Sequence, residues 1–221
     1  MPIRAFLFDF DGLLVDTETP SLAGWQRLYL EHGQHLPLDR WTQGVGTRDT
    51  WDPMAHLEEL VGTRLEREAL DERRAAHELT LIEAEGLRPG IGNYLETARR
   101  LGLARAIVSS STRAWIDLHL RRLEEAVGWD AIVTAEDDDG RAKPAPTLYL
   151  EALELLGLEP GEAIAFEDSP NGVAAARAAG IFVVAVPNAV TRDLGLDHAD
   201  VVVDSLAELP PGQLLALRSA R

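Results

Sequence analysis

Short apolar runs, rich in β-branched and aromatic residues and bounded by polar turns, recur along the chain at Ala5–Phe10, Ala104–Ser109, Ala131–Thr134, Ala163–Phe166 and Ile181–Val186, with Val201–Val203 as a sixth. Such runs predict strands. After the second run they alternate with helix-period segments at Trp115–Ala126, Thr147–Leu156 and Gly172–Ala179. Strands alternating with helices predict an α/β fold with a parallel sheet joined by right-handed crossovers. The punctuation agrees: Ser169 suits a helix N-cap, Pro170 the first helical position and Gly180 the residue past the end, while Pro144 and Pro146 precede the helix at Thr147.

The first crossover breaks the rhythm. After Ala5–Phe10 the next strand begins at Ala104, far beyond an ordinary connection. The stretch between carries helical periodicity at Ser21–Glu31, Trp51–Val61 and Leu65–Ile82 and no strand pattern. It predicts an inserted helical cap over residues 18–88, with residues 1–17 and 89–221 forming the core.

Composition narrows the chemistry. The chain has 221 residues, 46% of them hydrophobic, enough for a sizeable core. A formal net charge of -16, from 37 acidic against 21 basic residues, is unsuited to a nucleic-acid backbone or an anionic membrane. With no cysteine, disulfides, thiolate nucleophiles and cysteine-ligated metals are excluded. No signal-peptide pattern or membrane-length apolar stretch is present, so a cytoplasmic location is expected. Every basic residue but Lys143 is arginine, which marks Lys143 as a position wanting a compact ammonium.

In open parallel sheets ligands bind beyond the carboxyl ends of the strands, near the switch point of strand order. The predicted strand ends carry Asp9 and Asp11, then Ser109 and Ser110, then Glu167 and Asp168, with Lys143 in a loop before a helix. Four convergent carboxylates repel one another, and oxygen-only ligation points to a hard cation such as Mg²⁺. Asp9 is the candidate nucleophile, able to form an acyl-phosphate. Asp11 can share the crevice as general acid and base, and Ser109, Ser110 and Lys143 suit phosphoryl oxygens.

Asp9-Phe10-Asp11-Gly12-Leu13-Leu14-Val15-Asp16-Thr17-Glu18 resembles the first motif of the haloacid dehalogenase superfamily, in the subgroup of beta-phosphoglucomutase and sugar-phosphate phosphatases. The likeness continues through Val108-Ser109-Ser110-Ser111, Lys143-Pro144-Ala145-Pro146 and Phe166-Glu167-Asp168-Ser169-Pro170-Asn171-Gly172. It implies a Rossmann-like core with a mobile helical cap. It also implies Asp9 as nucleophile, Asp11 as acid and base, and Ser109 and Lys143 as phosphoryl ligands. Mg²⁺ would sit on Asp9, the Asp11 carbonyl and Asp168, with Glu167 a closer or outer partner. The expected activity is release of phosphate from a small phosphorylated metabolite. Asp11 argues against the dehalogenases, which lack it, and the lysine-free cap against the phosphonatases. The mutase cap has a histidine shortly after the first motif and a lysine further on, where this chain has Ser21 and no lysine. A phosphosugar mutase is the alternative within the same chemistry, and a non-catalytic binding protein the alternative outside it. Arg48, in Gly46-Thr47-Arg48-Asp49, is a candidate cap contact to substrate. The oligomeric state, monomer or dimer, stays open.

Other features carry less. The six histidines show no ligand spacing and are expected at the surface or an interface; the tryptophans are expected in core or cap packing. Gly90-Ile91-Gly92 lacks the rest of a dinucleotide fingerprint, and Glu136–Asp139 is expected to be a solvated loop.

Overall fold

The computed structural model describes residues 2–47, 51–123 and 128–219. The chain opens with β1 (Ala5–Phe8) and then runs through α1 (Glu18–Glu31), α2 (Leu38–Trp41), α3 (Pro53–Val61) and α4 (Arg67–Glu83). There follow α5 (Ile91–Leu101), β2 (Ala104–Ser109), α6 (Arg113–Arg122), β3 (Ala131–Thr134), α7 (Thr147–Leu156), β4 (Ala163–Glu167), α8 (Pro170–Ala178), β5 (Phe182–Ala185), β6 (Val201–Val202) and α9 (Pro211–Ser219). The strands form one parallel sheet in the order β3-β2-β1-β4-β5-β6. The expected Rossmann-like α/β fold is therefore observed.

Alternation along the strands divides the core into two layers. Ala5 and Leu7 of β1 pack on one face with α7 and α8, through Tyr149, Ala152, Val173 and Ala176. Phe6 and Phe8 point to the other face, with α5, α6 and α9, through Tyr94, Ile116 and Leu214. There Phe8 stacks on Phe166 of β4 with centroids 4.9 Å apart. Chain order reverses at β1: β2 and β3 lie on one side, β4 to β6 on the other. The crevice between the ends of β1 and β4 is thus the switch point at which such sheets bind ligands.

Helices α1 to α4 occupy the long first crossover. They pack around a separate apolar cluster of Leu28, Tyr29, Leu36, Met54 and Leu57. Several boundaries differ from the sequence pattern because capping groups override periodicity. Helix α1 begins at Glu18 rather than Ser21, since Asp16 accepts the Thr19 amide at 3.0 Å. Asp52 accepts the Ala55 amide at 2.9 Å, so α3 starts at Pro53 rather than Trp51. The expected cap at Ser169 is present, its hydroxyl accepting the Gly172 amide at 3.2 Å. Arg48 and the last part of the expected Trp115–Ala126 helix lie outside the described residues.

Candidate active site

Asp9 follows β1 directly, held there by its amide donating to the Phe166 carbonyl of β4 at 3.0 Å. Its side chain is buried, as are Glu167 at the end of β4 and Asp168 just beyond. One oxygen from each of these three carboxylates falls within a 4.8 Å cluster. The Lys143 ammonium bridges two of them, 2.6 Å from Asp9 Oδ1 and 2.6 Å from Glu167 Oε1. Lys143 is itself only 1% exposed, which accounts for a lysine where the chain otherwise uses arginine: a planar guanidinium needs more room. Two of its three N–H donors are thereby engaged, leaving one for a ligand.

The remaining oxygens divide into held and free. Tyr149 of α7 donates to Glu167 Oε1 at 2.5 Å, and Asn188, beyond β5, donates to Asp168 Oδ2 at 2.7 Å. Glu167 Oε2 and Asp168 Oδ1 are buried and have no hydrogen-bond partner among the described residues. A buried carboxylate oxygen left so is costly unless a cation completes it. Burial, and then Glu167, push the Asp9 carboxyl up to about 7 against the pull of Lys143. Burial and Asp9 raise Asp168 well above its ordinary value. For Lys143, burial is outweighed by Asp9 and Glu167, so its ammonium is held more firmly than usual. Three carboxylates against one ammonium, with two orphaned oxygens, could hold a hard divalent cation.

Two glycines make the cluster possible. A Cβ on Gly12, which sits at φ +73°, would lie 2.2 Å from Asp168 Oδ2, and one on Gly172 would lie 1.8 Å from Glu167 Oε2. Neither position can carry a side chain without displacing the carboxylate beside it.

Asp11 lies apart from this cluster. Its Oδ1 accepts from Thr17 Oγ1 at 3.0 Å and from the Trp115 indole at 2.8 Å; its Oδ2 accepts from Ser111 at 2.6 Å and Ser109 at 3.3 Å. One of the four carboxylates expected to converge is thus turned into a ring of donors lining the same chamber as Asp9. Ser110 is tied elsewhere, donating to the Gly46 carbonyl and accepting the Lys143 amide, each at 3.2 Å.

A profile of haloacid dehalogenase-like hydrolases matches residues 3–180. The chain belongs to the haloacid dehalogenase-like hydrolases. Among its relatives, YhcW of Bacillus subtilis (strain 168) is 41% identical over 213 residues, covering 96% of each chain. Validoxylamine A 7'-phosphate phosphatase of Streptomyces hygroscopicus subsp. limoneus is 33% identical, covering 93% of this chain and 95% of that one. The solved structure of CbbY from Rhodobacter sphaeroides in complex with phosphate superposes with a TM-score of 0.73 at 26% identity, covering 94% of this chain and 96% of that one. The protein is an enzyme of this hydrolase family, of the phosphatase type.

Several groups around this hydrolase's carboxylates escaped sequence reasoning. Asn188 stands three residues past β5, so the rule that selected the other strand ends would have selected it too. Tyr149 and Trp115 sit on helices whose sequence reads as ordinary amphipathic packing. His119 departs from its expected place at the surface or an interface: it is fully buried against Trp115 and Phe10, with neither ring nitrogen hydrogen-bonded among the described residues, and burial lowers its pKa. Glu18 closes the first motif, with no signal of its own in the sequence. It lines the chamber with Glu78, and burial together with Asp11 and Asp9 pushes its carboxyl up to about 8.

Proposed function

We propose that this hydrolase releases phosphate from a small phosphorylated metabolite through an aspartyl-phosphate on Asp9, with Mg²⁺ as cofactor. The observation that carries the reading is the pairing of a buried, lysine-clamped Asp9 with the orphaned oxygens of Glu167 and Asp168. Asp9, Asp168 and Glu167 would hold the ion, with Asp11 contributing through its main-chain carbonyl as the family resemblance implies. When bound, Mg²⁺ supplies the positive charge that lets an anionic carboxylate approach an anionic ester.

Lys143 occupies Asp9 Oδ1, which leaves Oδ2 to attack phosphorus. As the Asp9–phosphorus bond forms, the bond from phosphorus to the ester oxygen breaks, and the leaving oxygen takes a proton from the Asp11 carboxyl. Asp11 next removes a proton from water, which attacks phosphorus and breaks its bond to Asp9, restoring the free carboxylate and yielding inorganic phosphate. For both steps Asp11 must leave its donors on Thr17, Trp115, Ser109 and Ser111, after which the Ser109 hydroxyl and the third proton of Lys143 are available to phosphoryl oxygens. The helical layer α1 to α4, read as a cap over residues 18–88, would close the chamber against bulk water during transfer. Inner walls of hydroxyls and carboxylates suit a polyhydroxylated leaving group, in line with relatives named for validoxylamine phosphate and hexitol phosphate.

The test is phosphate release from a panel of sugar and polyol phosphates with Mg²⁺, comparing the wild type with Asp9→Asn. We expect a loss of roughly a thousandfold or more on removing the nucleophile. Equal turnover by both proteins would overturn the role of Asp9, and an isomeric sugar phosphate in place of free phosphate would favour the mutase reading.

A further inference from the structure

The chamber holding Asp9 and Asp11 does not end at the helical layer. Its volume is about 400 Å³, and it shares Glu18, Ser21, Gly46 and Thr47 with a second chamber of about 520 Å³. Each falls in the range of a single small-ligand site, so the cleft holds two moieties in series. The linings differ. The inner chamber is carboxylate and hydroxyl, with no cationic side chain among the described residues. The outer one is walled by Trp25, Trp41 and Trp51, with Arg40, Asp139 and the shared Glu18 as its ionisable groups.

These linings select a ligand. Beyond the reacting phosphate, the inner walls offer Glu18, Glu78 and the hydroxyls of Thr17 and Ser21, which hydrogen-bond well to hydroxyls. In the outer chamber Trp25 and Trp41 already touch, their rings 6.2 Å apart and inclined at 52°, with the Arg74 guanidinium 4.5 Å from the Trp25 ring. A flat base cannot slide between two inclined, touching indoles. A sugar ring can lay its C–H face on one of them and turn its equatorial hydroxyls to the polar rim.

We propose that the substrate is the phosphate monoester of a two-ring polyol, disaccharide-like in size, with its phosphate-bearing ring in the inner chamber and its second ring on the tryptophans of the outer chamber. This rests on the phosphatase reading above. Trp25, Trp41 and Trp51 thereby become specificity-determining residues, and single-ring sugar phosphates become substrates that leave half the cleft unfilled.

The test measures kcat/KM for phosphate release from disaccharide 6-phosphates of different linkage (trehalose, sucrose, lactose and cellobiose), from glucose 6-phosphate and from AMP. The best disaccharide ester should exceed glucose 6-phosphate by about tenfold or more, the worth of one good ring contact. In Trp41→Ala and Trp51→Leu that ratio should fall toward one. Arg40, exposed at the outer rim, gives a third variant that spares the packed layer, and Arg40→Ala should lower the same ratio. Glucose 6-phosphate matching every disaccharide ester, AMP exceeding them all, or a wild-type ratio preserved in all three variants would overturn the two-ring assignment while leaving the phosphatase reading intact. Failure of every ester to release phosphate would overturn both.

Discussion

Lys143 joins Asp9 and Glu167 through one fully buried ammonium, so its removal leaves two like charges facing each other without a cation. Breaking a buried pair from one side costs about 3–5 kcal/mol, far more than the pair contributes over an apolar replacement. Lys143→Met should therefore lower the unfolding free energy by about that amount and abolish phosphate release, readings taken by denaturant unfolding and a phosphate assay. Lys143→Arg should not rescue activity, because the site has no room for a planar fork. Turnover near the wild-type level in either variant would remove Lys143 from the mechanism. At this scale much was legible. Asp9, Glu167 and Asp168 stand at strand ends, and Lys143 is the chain's sole lysine. The surroundings of Asp11 were not, since its indole donor comes from Trp115, 104 positions away, and nothing local to either residue announces the contact.

The elements position the cluster through their ends. Helix α8 starts against β4, and Gly172 in its first turn lets the backbone press on Glu167 Oε2. In Gly172→Ala the new methyl must push Glu167 aside. Displacing a group that supports a metal site costs roughly 10–100-fold in affinity. The Mg²⁺ concentration giving half-maximal activity should rise by about that factor, and an unchanged midpoint would exclude Glu167 from the metal site. The strands and crossover helices were readable because β-branched runs and helix periods are local signals, whereas the order of the strands in the sheet was not. Helix α2 and α9 were not, being short segments fixed by neighbours: the chain before α9, for instance, is anchored by Tyr94 donating to the Leu209 carbonyl at 2.6 Å.

Across the whole molecule, core and helical layer are joined by contacts at several points, among them Arg122 donating to the carbonyls of Glu83 and Glu85. Asn171 donates to the Val45 carbonyl at 2.8 Å, and Ser110 to that of Gly46. The chain returns from the layer at Arg88, whose amide donates to the Leu14 carbonyl at 2.9 Å. Its guanidinium donates to the carbonyls of Gly12, Val186 and Pro187 at 2.5, 3.0 and 2.7 Å. Departure and return of this stretch are thus adjacent, and it lends Ile82 and Leu87 to one apolar layer of the sheet and none of its residues to the other. Replacing residues 18–87 by a short Gly/Ser loop should leave a core that unfolds cooperatively, with any preference for two-ring esters gone. Non-cooperative melting of that chain would show that the layer is needed for folding. The return through Arg88 also bears on descent: with the splice points already neighbours, a lineage can exchange one contiguous stretch and so change which ester it recognises, while the reaction itself is inherited untouched.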